Sequence, residues 1–168
     1  MIATIQDFFG ASSKYIELFD LFVAKHNLVG RAAPDHVCYD CSSTESFERT
    51  RKMLEPECVF LYQAYVSGRR IAYIKFKKGI QTSLGVIKFL ELSDQKPDNT
   101  QTEKFDHIEV YAVGRTCEDM VAELQKTETV IASVKPHHTT HDVDMGSGFR
   151  FRCTKEPLIE KIKASEMC

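Results

Sequence analysis

Asp35-His36-Val37-Cys38-Tyr39 recurs 71 residues later as Asp106-His107-Ile108-Glu109-Val110-Tyr111. Each stretch carries the β-branched and aromatic residues that suit a strand. A repeat of that period predicts two copies of one supersecondary module, with a histidine at the same point in each. Copies paired about a pseudo-two-fold axis would bring both imidazoles to one cavity. That arrangement suits a metal ion.

Working outward, the first module is expected over residues 34–94. Its strand, residues 35–41, is followed by Ser42 and Glu45 at a capping-box spacing. A helix through Phe47 and Leu54 stops before Pro56. Strand-like stretches then cover residues 59–66, 70–77 and 80–92, with turns at Ser67-Gly68 and Lys78-Gly79. Residues 95–104 read as a polar linker. The second module, residues 105–168, repeats the order. Thr116 and Asp119 cap a helix carrying Met120, Val121 and Leu124, strand-like residues 130–134 and 149–152 follow, and Pro157 opens a last helix with Leu158, Ile159 and Ile162 inward. Ahead of both, residues 1–33 are helical: Tyr15, Leu18, Phe19, Phe22 and Val23 form one apolar stripe, and Gly30 fits its end. The fold class expected is α+β, in a single domain of 168 residues.

A formal net charge of −2 gives no electrostatic reason to expect nucleic acid or an anionic membrane surface as partner. No apolar run reaches the roughly 18 residues of a spanning helix, and the amino terminus lacks a basic stretch followed by an apolar one. Six scattered cysteines read as free thiols in a reducing compartment, so a cytoplasmic protein is expected.

Residues two apart on a strand share a face, so His36, Cys38 and Asp40 point one way, and His107, Glu109 and Tyr111 likewise. A single histidine among apolar neighbours is usually a satisfied core residue. Two at equivalent repeat positions, each preceded by Asp, favour function. Glu91, flanked by leucines near a strand end, is either an outward side chain on an edge or a costly buried carboxylate. With His36 and His107 it makes a two-His, one-carboxylate set with coordination positions left open. Such a set takes Fe(II), Mn, Ni, Co or Zn. Glu109 is the candidate general base. His137, His138 and His141 form a cluster that more often sits solvated. Cys38 and Cys41 point to opposite strand faces, against a redox pair or a zinc site. The basic run of residues 69–78 alternates with apolar residues, as the wet face of a half-buried strand does.

The Asp-His strand starts, Phe89-Leu90-Glu91-Leu92 and the closing stretch Leu158 to Glu166 resemble the YecM-like proteins. That group is similar to the vicinal-oxygen-chelate superfamily of glyoxalases, bleomycin-resistance proteins and extradiol dioxygenases. The resemblance covers residues 35–166 and implies paired βαβββ modules forming a curved mixed sheet around a pocket. It places metal ligands at His36, Glu91 and His107, and is compatible with a homodimer. The superfamily usually has a Glu on the final strand, and the YecM-like group a His shortly after it. Here the stretch is Phe149-Arg150-Phe151-Arg152-Cys153. Water or substrate then fills an open fourth position, or Cys153 or a nearby histidine substitutes, or an inward arginine binds a substrate carboxylate. The open position is expected. The function implied is a divalent-metal-dependent enzyme of isomerase, lyase or dioxygenase type acting on a small oxygen-bearing molecule. The alternative is a non-catalytic module that binds a small ligand or a metal, and turnover that requires metal separates the two.

Overall fold

The computed structural model describes residues 2–134, 139–158 and 162. Helix α1 (Ile5–Lys25) precedes β1 (Ala32–Asp40), α2 (Thr44–Leu54), β2 (Cys58–Val66), β3 (Arg69–Thr82) and β4 (Gly85–Ser93). The same order then repeats as β5 (Lys104–Ala112), α3 (Cys117–Leu124), β6 (Ile131–Val134), β7 (Thr139–Asp144) and β8 (Arg150–Thr154). The strands form one curved mixed sheet in the order β2-β3-β4-β1-β5-β8-β7-β6. Each module opens on a strand that pairs in parallel with its own last strand, β1 with β4 and β5 with β8. The modules meet through the antiparallel pair β1–β5, so the order reads alike from both ends. These are the paired βαβββ modules around a pocket that the repeat predicts, with α1 added.

The sheet has two unlike faces. Val37 and Tyr39 of β1, Leu90 and Leu92 of β4, Ile108 and Val110 of β5 and Phe151 of β8 share one buried cluster with Phe8, Phe19 and Phe22 of α1, Phe47 of α2 and Met120 of α3. Helices α1, α2 and α3 therefore cover one face. Burying a side chain of that size contributes about 1.5–3 kcal/mol, which is what holds α1 to the sheet. The opposite face carries the polar residues of β1 and β5, and is closed at one side by a smaller apolar cluster. There Ile71 and Tyr73 of β3 meet Ile162, with Leu158 packed beside them. The rest of the expected last helix, Ile159 included, lies outside the described residues.

Three local expectations need correction. Helix α1 ends at Lys25 rather than Gly30: His26 caps it and Asn27 takes a left-handed turn (φ 52°), ahead of the positive φ of 75° at Gly30. The α2 cap is Ser43, which accepts from the Ser46 N–H, rather than Ser42. Lys78-Gly79 is no hairpin turn: β3 runs through it to Thr82 and bulges against β4 between Lys75 and Ile80. Gly79 has φ 80° there, and the chain reverses at Ser83-Leu84 instead. Thr116 and Asp119 do form the expected capping box of α3.

Candidate metal centre

Strand pairing lines the site residues up across the open face. Cys38 lies opposite Glu91 on one side and His107 on the other, and His107 opposite Arg150. One step along, His36 faces Glu109, and Glu109 faces Arg152. All four sequence candidates, His36, Glu91, His107 and Glu109, therefore come together although they lie on three strands.

Two bulges shape this centre. The register slips between Pro34 and His36, leaving Asp35 as the extra residue of β1. It slips again between Cys38 and Tyr39, where Asp106 is extra on β5. On a regular strand an Asp and the following His face opposite ways. A bulge re-aims the side chain. Asp35 Oδ2 thus reaches His36 Nδ1 at 2.7 Å, and Asp106 Oδ2 reaches His107 Nδ1 at 2.9 Å. Each Asp accepts the Nδ1–H of its histidine and turns that ring's Nε2 toward the shared space, as carboxylates behind metal-ligating histidines do. The two rings stand edge to face, 5.7 Å between centroids.

Their Nε2 atoms differ. That of His36, 0% exposed, has no hydrogen-bond partner. It points between Glu91 Oε2 at 3.6 Å and Glu109 Oε2 at 3.8 Å. Burial opposes charge on this ring, but Glu109, the Asp35 hydrogen bond and Glu91 outweigh it and raise its pKa to about 9. His107 Nε2 instead accepts from Arg152 Nη1 at 3.1 Å. Burial and that guanidinium depress its pKa to about 4, so the ring is neutral near pH 7. Burial works against the Glu91 carboxylate, yet His36, His107 and Arg152 hold it below the usual range.

Ligand atoms of His36, His107 and Glu109 lie within 4.8 Å of one another, as do those of Cys38, Asp106 and His107. Cys38 Sγ is also 3.6 Å from Glu91 Oε1. A buried imidazole set between two carboxylates is, once its Nε2 proton is given up, a donor set that fits a divalent cation.

On the final strand it is Arg152 that reaches this face, donating to His107 and fixed by two bonds to Asp142, Nε to Oδ1 and Nη2 to Oδ2, both 2.7 Å. Cys153 belongs to the helix-side core, and His141 pairs with it in register on β7, so neither substitutes. His137 and His138 lie outside the described residues. Cys38 and Cys41 are both free thiols, Cys38 among the site residues and Cys41 in the helix-side core. Asp142 has no sequence signal beyond its place one residue from the histidine cluster, and the hydrogen bonds that Asp35 and Asp106 make behind the histidines follow only from the bulges.

A cleft of about 900 Å3 is lined by Cys38, Glu91, His107 and Arg152 of this centre, and not by His36 or Glu109. Its wall includes residues of the expected linker. Gln101 Nε2 donates to the carbonyls of Cys41 (2.8 Å) and Asp94 (2.9 Å), folding the segment back over the sheet. Among the described residues, no helix is long and apolar enough to cross a membrane.

The sequence model of the YecM protein family matches residues 5–162. Among solved structures, one described as Structural Genomics, Protein EC4020 shares the fold, with a TM-score of 0.74 at 23% identity over 96% of this chain and 92% of that one. A methylmalonyl-CoA epimerase variant from Streptomyces coelicolor, in complex with 2-nitronate-propionyl-CoA, gives a TM-score of 0.47 at 15% identity over 74% of this chain and 96% of that one. A mutant 4-hydroxymandelate synthase from Streptomyces coelicolor gives 0.35 at 14% identity over 80% and 52%. No curated protein matches.

Proposed function

Because the chain belongs to the YecM protein family, we propose that it is a divalent-metal-dependent enzyme of vicinal-oxygen-chelate type, acting on a small oxygen-bearing molecule. The observation that carries this reading is the His36 Nε2, fully buried, without a hydrogen bond and aimed between two carboxylates. His36, Glu91 and His107 would hold the ion, and isomerase, lyase and dioxygenase chemistry are all compatible with them. A bound divalent ion would supply Lewis acidity toward two neighbouring substrate oxygens.

The chain's own residues divide the remaining work. Asp35 and Asp106 fix the imidazole tautomers. Glu109 shares the face of His107 and is the base that takes a substrate proton. Arg152 keeps a permanent charge beside His107, where an oxyanion is stabilised. Arg152 Nη1 holds the His107 Nε2 lone pair, so this hydrogen bond would have to open for His107 to serve as a ligand.

One observation favours a second reading, a non-catalytic module that binds a small ligand. With Arg152 on His107, the site already contains a fixed cation suited to a carboxylate. Metal content by mass spectrometry decides between them. Tag-free protein is expected to carry near-stoichiometric metal, lost in a still-folded His36→Ala/His107→Ala variant. Protein that takes up none of Fe(II), Mn, Ni, Co or Zn would overturn the metal enzyme and leave the module.

A further inference from the structure

The floor of the cleft is acidic, but its rim is not. Lys104 Nζ lies 3.2 Å from Asp106 Oδ1, and Arg150 donates to the other oxygen of that carboxylate. Arg150 also reaches Asp142 Oδ2 at 3.2 Å, the carboxylate that Arg152 already grips. Three cations therefore share two carboxylates. Two more stand across the opening. Arg69, at the start of β3, donates to the neutral amide oxygen of Gln101. Lys96 is exposed on the folded-back linker. The neighbouring rim carboxylate, Asp98, turns inward on itself to accept from the Thr100 hydroxyl at 2.8 Å. Among the charged side chains that line the cleft, Arg69, Lys96, Lys104, Arg150 and Arg152 outnumber Asp40, Glu91, Asp98 and Asp106 by one.

We propose that this rim is an anion subsite, and that the molecule the cleft takes bears a carboxylate or phosphate group held by Arg69, Lys96, Lys104 and Arg150. The inference rests on the functional reading above and adds the substrate class. An anion seated between β3, the linker and β8 leaves the rest of a small molecule directed down toward Glu91 and His107, which line the same cleft. Guanidinium groups bind such oxygens in pairs, and the ammonium groups add point charges. The volume, about 900 Å3, is that of a small-molecule site.

Titration calorimetry on the full chain tests this with malonate, inorganic phosphate and chloride, each on chelator-treated and on metal-loaded protein. Malonate or phosphate should bind saturably and more tightly than chloride. The tighter of the two names the source of the anion. Arg69→Gln/Lys96→Gln should weaken binding about tenfold or more, in line with the loss of charge-assisted contacts, and leave metal content unchanged. Lys96→Gln alone changes only an exposed side chain, so it folds, and should show a smaller weakening. Anions that bind no better than chloride, or binding unaltered in both variants, would overturn the subsite. The two readings fail separately. Anion binding without metal uptake removes the metal site alone, and metal uptake without anion binding removes this inference alone.

Discussion

At the scale of single residues, the site is a set of buried charges whose partners are fixed. Arg152 is the clearest case, because Asp142 accepts two of its bonds and His107 a third. Arg152→Leu leaves the buried Asp142 carboxylate with Arg150 alone, and urea denaturation should show a loss of about 1.5–3 kcal/mol. Arg152→Leu/Asp142→Leu, with neither charge left, should recover most of that loss. Asp40 offers a test in pH. Burial first, then Asp106, raises its pKa to about 6 from the ordinary 3.8. The folded state therefore holds the Asp40 proton more tightly than the unfolded chain does. Stability from this group is complete below about pH 4 and is lost as pH rises through about 6. Asp40→Asn stays neutral, so thermal melts should match wild type near pH 4 and exceed it at pH 8, by roughly 1–3 kcal/mol.

At the scale of elements, departures from regular strand geometry decide what the sheet can do. The bulges at Asp35 and Asp106 were hidden in the sequence, since strict alternation sends each Asp away from its histidine. Pairing register, which only the partner strand defines, brings them back. Gly79 was misread for a related reason: a glycine after lysine marks a turn or a bulge equally well. Here β3 continues past it, and a Cβ at Gly79 would meet the Ile87 carbonyl oxygen at 2.6 Å. Gly30 has a similar φ of 75° but open space around it. Gly79→Ala should thus lower the melting midpoint well beyond Gly30→Ala. About 1 kcal/mol is expected for the conformational cost alone at Gly30, and 2 kcal/mol or more at Gly79. Equal losses at both positions would mean that β3 relaxes freely around the bulge.

For the whole molecule, the internal repeat made the architecture legible, because two Asp-His strands with the same succession of elements can share one sheet only about a common axis. The convergence of His36, Glu91, His107 and Glu109 followed from that. Arg152 at the fourth corner was visible only as one of three alternatives, since its direction depends on Asp142 from β7. The linker gave no hint that it walls the cleft, because Gln101 acts through carbonyl groups that any sequence would offer. The polar rows cross from β1 to β5, so each half of the chain holds counter-charges that the other half needs. Parted, His36 would lose Glu109, and His107 would lose the acidic side chain of Glu91. Neither half is expected to stand alone. Tyrosine fluorescence and far-UV circular dichroism should report one common urea midpoint, and two midpoints would show halves that fold independently. A chain cut within residues 95–104 should then give two fragments that acquire structure only on meeting, the two copies having become a single cooperative unit.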